Sequence, residues 1–485
     1  MRTRTLAEVS EAGHLGWFAP ALDRIRSLPD DADPRMRDFF SAAAPILVGR
    51  APGRLDVMGG IADYSGALVL ELPLDRATWA AAQAREAPRL DVATRRDGRW
   101  QLFAVDLEPL VTGTLRDPRA LAAWLAARDA DRWAAYVLGV VHHCLRRAGR
   151  PTGLRLLIDS TVPEGKGVSS SAALEVACMA AVAAAWRVEM SAEEMATACQ
   201  WAENHVAGAP CGIMDQMTSV RGRRGRLLRL RCQPGTVEGY VEVPHGFRFY
   251  GIDSGVRHAV SGADYGTVRT AAFMGYRMIA AAAGLAATPD GDGRVRVDDP
   301  RWGGYLANLT PDELTARFER GLPERMLGAD FLAGFGGITD AATSVIPERW
   351  YPVRAATAHP VREQARVERF AARLAELPRD PSAAAELGRL MYAAHESYGA
   401  CGLGSGGTDR LVEMVAEAGP ASGLFGAKIT GGGSGGTVAV LGTADAEPLV
   451  REIAERYRAE TGLTAELFAD SGPGAEETGV LSVGL

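Results

Sequence analysis

Cysteine is scarce and scattered. The six cysteines, at positions 144, 178, 199, 211, 232 and 401, form no C-x-x-C pair and no zinc-like cluster. This excludes a disulfide scaffold or a zinc ribbon and reads as reduced thiols in a cytoplasmic protein. Long hydrophobic runs are missing too. The most apolar stretch, Ala172 to Trp186, is alanine-rich and falls short of the roughly 20 residues that span a bilayer. A buried helix is expected there, and no membrane partner. The first 18 residues mix charges without an apolar core, so no signal peptide is expected. There is no basic excess either, since the net charge is −7 and the pI about 5.8. That balance excludes the basic surface of a nucleic-acid protein. It leaves a nucleotide ligand open, because a few backbone N–H groups suffice to hold phosphates. No internal repeat and no low-complexity linker interrupts the chain.

What is present is a chain of 485 residues, 47% apolar, longer than the roughly 250–300 residues at which single cores stop growing. Two domains are therefore expected, 1–250 and 251–485, with a less regular, Gly/Pro-containing region near 285–350. A helix over Ala19–Leu28 ends at the Pro/Asp-rich Pro29–Pro34. Strand signals follow at Ile46–Val48, Gly66–Leu74, Thr78–Ala84, Arg155–Ile158 and Phe247–Ile252. Helices are expected from Ala172, from Ser191 to about His205, and over Arg362–Leu377, Ser382–Tyr398 and Asp409–Ala418. Ser191 followed by Glu194 has the spacing of a capping box.

Three glycine-rich segments could cradle a phosphate. Pro163-Glu-Gly-Lys-Gly-Val-Ser-Ser-Ser171 runs straight into the expected helix. Its glycines let backbone N–H groups approach an anion, and its serines fall at a helix N-terminus, whose dipole favours negative charge. A serine N-cap after a plain turn is the alternative. Gly431–Gly436 and Gly402–Gly407 both match G-x-G-x-x-G formally. A dinucleotide fingerprint must follow a strand and open a helix. The first of these is expected to lead into a strand and the second to follow a helix, so the dinucleotide-binding oxidoreductase reading fails and turns remain. Asp215, on a Gly/Pro loop, has the chemistry of a general base, although a lone loop aspartate more often caps a helix. Arg54, in a Pro-Gly-Arg turn, could support a phosphate or a carboxylate, with a surface arginine as the plain alternative.

Taken in order, Ala51–Gly66, Pro163–Ala173 and Lys428–Gly436 resemble the three motifs of the GHMP kinases. Ala202-Glu-Asn-His-Val-Ala-Gly-Ala-Pro-Cys-Gly-Ile-Met-Asp-Gln216 narrows the resemblance to the galactokinase branch. It covers the chain from about residue 45 to the end. The resemblance implies an α+β fold of two domains with the active site in the cleft between them. The first would be like ribosomal protein S5 domain 2, the second ferredoxin-like. It implies ATP and Mg²⁺, a monosaccharide substrate, and a monomer or homodimer. Asp215 would be the catalytic base and Arg54 its partner. Gly165, Gly167, Ser169, Ser170 and Ser171 would wrap the ATP phosphates, with Gly432 and Gly433 closing over them. Ser171 and Glu203 would hold Mg²⁺. Asp63, Gly60, Ile61, Gly212 and Tyr265 would lie against the sugar.

One departure bears on the sugar. Galactokinases typically carry Gly-Glu-His-x-Asp-Tyr where this chain has Gly59-Gly-Ile-Ala-Asp-Tyr64. The missing Glu and His approach the C6 hydroxymethyl side of galactose. L-Arabinopyranose has the same ring stereochemistry without C6, so L-arabinose is the expected substrate and D-galactose the alternative. Several segments, His395–Arg410 among them, also resemble the kinase part of plant L-arabinokinases. A non-catalytic sugar- and ATP-binding regulator is a further alternative, with no need for all of Asp215, Arg54, Ser171 and Glu203. Asp56 stands where galactokinases usually have Asn, and no role for its charge follows from the sequence.

Overall fold

The computed structural model describes residues 1–484 apart from 97, 129–131, 149–151, 257–262 and 292. Its first eight strands are β1 (Thr3–Arg4), β2 (Ile46–Met58), β3 (Leu68–Arg85), β4 (Arg89–Arg96), β5 (Arg99–Asp106), β6 (Gly153–Ser160), β7 (Arg226–Arg231) and β8 (Thr236–Glu242). Then come β9 (Phe247–Asp253), β10 (Ala287–Pro289), β11 (Val295–Val297), β12 (Met326–Leu327) and β13 (Trp350–Tyr351). The last four are β14 (Leu424–Ile429), β15 (Thr437–Thr443), β16 (Leu467–Phe468) and β17 (Val480–Val483). A nine-stranded sheet runs β1-β17-β2-β3-β6-β4-β5, with β7 pairing on β3 and β8 on β7. A four-stranded sheet runs β14-β15-β9-β16. The hairpins β10/β11 and β12/β13 stand apart.

β2 and β3 read as near-continuous apolar runs because both their faces are covered, which removes the usual in/out alternation. Phe18, Leu22 and Ile25 of the helix Leu15–Ser27 pack on Val48, Trp79 and Ala81. At the other end, Leu55 and Leu70 meet Phe249, Ala439 and Leu441 of the second sheet. The opposite face takes the helix Ser170–Ala185, which is apolar all round and therefore buried. Its alanines permit close approach: a Cβ added to Gly49 of β2 would stand 2.5 Å from the Ala177 carbonyl oxygen. That contact seats the middle of this helix on β2, while the Arg54 amide, donating to the Val168 carbonyl at 3.1 Å, holds the segment just before its N-terminus.

The capping box at Ser191 and Glu194 forms as expected. The helix it opens, Ala192–Ala202, continues as a π-helical turn over Glu203–Ala207. Two expectations are corrected. Arg54 is not on a turn or at the surface; it lies inside β2 and is 2% exposed. A register shift between Pro52 and Arg54 accommodates the proline in the strand, as a bulge allows. Asp215 is not on a loop but in the first turn of the helix Met214–Arg221. The helix expected from Arg362 begins nine residues earlier, spanning Val353–Glu376 with Pro360 inside it.

Residues 285–350 are irregular, and Trp302, Leu306, Phe318 and Phe331 from this region join Ile61 and Tyr64 in one apolar cluster. No helix among the described residues is long and apolar enough to cross a membrane.

The helix Ala383–Ala400 rests backbone to backbone on β14. A Cβ on Gly388 would lie 1.8 Å from the Phe425 carbonyl oxygen, so no side chain fits. Gly388→Ala should cost about 1–3 kcal/mol of stability by overpacking, read as a lowered denaturation midpoint. A midpoint equal to wild type contradicts this packing.

Candidate functional site

Two neighbouring strands place charge at the centre of the molecule. Arg54 and Asp56 share a face of β2, and the register sets Asp56 opposite Glu71 of β3. Like charges directly across a ladder repel, a pairing that neighbouring cations relieve. Arg54 is one. Its Nε and Nη2 lie 2.9 and 2.7 Å from Asp215 Oδ1, its Nε 3.3 Å from Glu71 Oε2, and its Nη1 donates to the Gly167 carbonyl at 2.7 Å. Burial alone would lower the Arg54 pKa, but Asp215, Glu71 and Asp56 outweigh it and raise it. Glu71, fully buried, is pushed well up by burial and next by Asp56. Asp215 keeps 19% of its side chain exposed and Arg54 3%, so the carboxylate reaches the surface while its guanidinium partner does not.

The segment after β6 has the backbone expected of an anion cradle. Gly165 and Gly167 have φ of +69° and +72°, values glycine adopts without strain. Ser169, also left-handed at φ 59°, caps the helix Ser170–Ala185, and its buried hydroxyl has no hydrogen-bond partner. Orphaned N–H groups and the positive end of the dipole thus converge beside an unused hydroxyl. Ser170 and Ser171 follow in the first turn. Ser171 is hydrogen bonded to Glu203, whose carboxyl burial and next Asp215 push up to about 7. Gln216 Nε2 bridges Glu203 Oε2 and Glu175 Oε2 at 2.7 and 3.2 Å.

All three glycine-rich segments meet here. A Cβ on Gly431 would lie 2.8 Å from the Gly167 carbonyl oxygen, and one on Gly436 2.9 Å from that of Lys166. The Ser434 amide donates to the Leu403 carbonyl at 2.6 Å, and Gly433 lies against Leu403. Gly432 approaches Tyr265. Asp63 is 3% exposed, accepts from the Tyr64 amide at 2.6 Å and abuts Gly212, where a Cβ would come within 1.7 Å. Burial, then Asp215, pushes its carboxyl up to about 7, against the pull of Arg269. Tyr265 meets Tyr64 edge-on with ring centroids 5.7 Å apart. Gly60 and Ile61 sit beside Tyr398, and Ile61 is 1% exposed within the apolar cluster. Every candidate from the sequence thus lies in one connected region.

Sequence reasoning missed several partners. Glu71, Glu175 and Gln216 are the buried groups around Arg54 and Glu203. Arg269, 7% exposed, makes a double hydrogen bond at 2.8 Å to Asp340, which anchors the 285–350 region beside Tyr64. Lys428 binds Asp56 at 2.7 Å, both fully buried, and Lys166 pairs with buried Asp253. One signal was available for the last two. Of the 53 Lys and Arg, only Lys166 and Lys428 are lysine, one in each of two glycine-rich motifs.

Family comparison agrees with this geometry. The GHMP kinases N terminal domain matches residues 135–223, the galactokinase galactose-binding signature 37–84, and the GHMP kinases C terminal domain 374–459. An L-arabinokinase of Arabidopsis thaliana is 41% identical over 92% of this chain, which spans 47% of that protein's length. A galactokinase of Chloroflexus aurantiacus is 30% identical over 86% of this chain and 90% of its own length. The structure of Lactococcus lactis galactokinase complexed with galactose superposes with a TM-score of 0.69 at 19% identity, covering 96% of this chain and 100% of that one. With its three motifs gathered around one buried arginine, the chain belongs to the GHMP kinase family.

Proposed function

We propose that this protein is an ATP- and Mg²⁺-dependent sugar kinase that phosphorylates the anomeric hydroxyl of L-arabinose, giving L-arabinose 1-phosphate and ADP. The observation that carries the reading is Arg54, bonded at once to Asp215 in the cleft and to the Gly167 carbonyl of the phosphate loop. Residues 1–250 and 251–485 are taken as the two lobes. In support, the nine-stranded sheet holds β1–β8, joined by β17 from the C-terminal end, and the four-stranded sheet opens with β9, which begins at Phe247.

Phosphoryl transfer asks mainly for positioning and charge stabilisation. Asp215 takes the proton of the anomeric hydroxyl. The freed oxygen bonds to the γ-phosphorus as the bridge to the β-phosphate breaks and ADP leaves. Arg54 holds the base in place and offsets negative charge beside it. Gly165, Gly167 and the amides of Ser169–Ser171 bind the phosphates, and Gly432 and Gly433 close over them. Ser171 and Glu203 would hold Mg²⁺, which would neutralise phosphate charge. Their hard oxygen donors suit it, and Glu203, pushed up to about 7 by burial, presents a proton that a cation would replace.

Asp63, Gly212 and Tyr265 would contact the sugar. Where galactokinases carry a glutamate, this chain has Gly60, and a Cβ there would fall 1.6 Å from the Tyr398 hydroxyl oxygen. The adjacent Ile61 amide is already taken by that oxygen at 2.9 Å. Neither position offers a polar partner to a C6 hydroxyl. Burying that hydroxyl unpaired costs about 1–3 kcal/mol, which favours a sugar without one. D-Galactose is the second reading, favoured by the galactose-binding signature over 37–84; a non-catalytic regulator is the third.

Substrate comparison tests the choice. L-Arabinose should exceed D-galactose in kcat/KM by about 10-fold or more, and Asp215→Asn should lower kcat by roughly 10²–10⁴. A D-galactose preference contradicts the Gly60 argument, and an active Asp215→Asn contradicts the base.

Asp63 adds a pH dependence. Its carboxyl rises from 3.8 to about 7 on folding, so between those values the folded state keeps a proton the unfolded state releases. Its stabilising contribution is full below 3.8 and lost as pH rises through about 7. The melting temperature of the unliganded wild type should therefore fall more steeply between about pH 4 and 7 than that of Asp63→Asn. Equal slopes contradict it.

A further inference from the structure

Behind the sugar turn, two fully buried side chains each bridge the same two backbone segments. Asp56 Oδ1 accepts from the Gly60 amide at 3.0 Å, and its Oδ2 accepts from the Gly431 amide at 3.3 Å. The Tyr398 hydroxyl accepts from the Ile61 amide at 2.9 Å and donates to the Gly431 carbonyl at 3.1 Å. Both polar groups of Gly431 are thus held by side chains that also hold the Gly60–Ile61 turn. Lys428 Nζ closes the assembly, 2.7 Å from Asp56 Oδ2 and 5.5 Å from the centre of the Tyr398 ring. The Asp56 amide adds a bond to Thr430 Oγ1 at 3.0 Å.

The chemistry of this assembly is selective. Every basic side chain but two is arginine, yet this site holds lysine. A compact ammonium fits a closed site whose acceptors are the Asp56 carboxylate and carbonyl and a ring face, whereas a guanidinium would bring five donors needing partners. The charge of Asp56 is matched by Lys428, with both at zero exposure. Removing one partner alone would leave a buried charge unpaired. A movement of Gly60 or Ile61 therefore strains the bonds that set Gly431, and the reverse holds equally.

We propose that Asp56 and Tyr398 are positioning residues that couple the sugar turn to the glycine loop over the nucleotide, so that sugar and nucleotide each tighten the binding of the other. The proposal rests on the kinase reading above, in which Gly60–Ile61 flank the sugar and Gly431–Gly436 the phosphates. Coupling between two ligands is a free energy shared equally by both binding reactions. Ordering one segment with its own ligand lowers the ordering cost left for the other.

Calorimetry on the full chain tests it. The Kd of the magnesium complex of the non-hydrolysable ATP analogue AMPPNP is measured without sugar, with saturating L-arabinose and with saturating D-galactose. Wild type should bind the nucleotide about 5-fold or more tighter with its sugar present, and the sugar Kd should fall by the same factor with nucleotide present. Tyr398→Phe keeps the ring and loses both bridging bonds, so the ratio should drop toward one. The double variant Asp56→Asn/Lys428→Met, which leaves no unpaired charge, should do likewise. A purely structural role would lower the melting temperature or weaken both affinities and leave the ratio intact; that result overturns the proposal, as does a wild-type ratio of one. A wild type that binds neither sugar nor nucleotide overturns the kinase reading and the coupling with it, whereas intact coupling in both variants overturns the coupling alone.

Discussion

The guanidinium of Arg54 joins three stretches of chain that are distant in sequence: β2 itself, the glycine loop at Gly167 and the helix that carries Asp215. Placing a cation there is costly. Burial opposes its charge, and the Coulombic attraction of Asp215, Glu71 and Asp56 has to exceed that opposition. The carboxyl groups lean on the cations in turn: Asp56 and Glu71 face each other across the ladder, Arg54 Nε lies 3.3 Å from Glu71 and Lys428 Nζ 2.7 Å from Asp56. Each buried charge is stabilised by its neighbours, so removing one without its partner is costly. Breaking one member exposes the remainder to the full desolvation cost.

The same logic explains the architecture around it. Close backbone contacts at Gly49 against Ala177 and at Gly388 against Phe425 set two helices at fixed heights over their sheets. One presents the anion cradle from its N-terminus and the other delivers Tyr398 beside Gly60. Small residues at the contacts, not large apolar ones, fix these positions. The third glycine-rich segment, Gly402–Gly407, has a structural part as well: Leu403 supports Ser434 and Gly433 of the loop above. The 285–350 region is tied in by the buried Arg269–Asp340 pair and by its packing on Ile61 and Tyr64.

How much of this was legible in the sequence depended on whether the determining physics is local. The Ser191–Glu194 capping box, the alanine-rich helix and the strand after Gly436 follow from neighbours within a few residues, and all three formed. Arg54 misread as a turn residue because Pro52 and Gly53 usually make turns; here a bulge absorbs the proline, and Gly53 admits the Val168 carbonyl, to which a Cβ would come within 2.6 Å. Asp215 misread as a loop residue because glycine and proline crowd the approach to its helix. Pro360 hid the first two turns of a helix whose other contacts keep it continuous. Glu71, Tyr398 and Lys428 act across the fold, Tyr398 on Ile61 at a separation of 337 residues and Lys428 on Asp56 at 372. Only the charge of Asp56 and the rarity of lysine hinted at the last pair.

In the proposed mechanism Arg54 acts by geometry, joining Asp215 to the glycine loop at Gly167, and not merely by carrying charge. Arg54→Lys separates the two, since it keeps the cation and loses the fork. The measurement is kcat alongside the dissociation constants of nucleotide and sugar for this variant. The account predicts a kcat lowered by roughly 10²-fold or more, with both dissociation constants within several-fold of wild type. A kcat within about threefold of wild type would contradict it, because charge alone would then suffice.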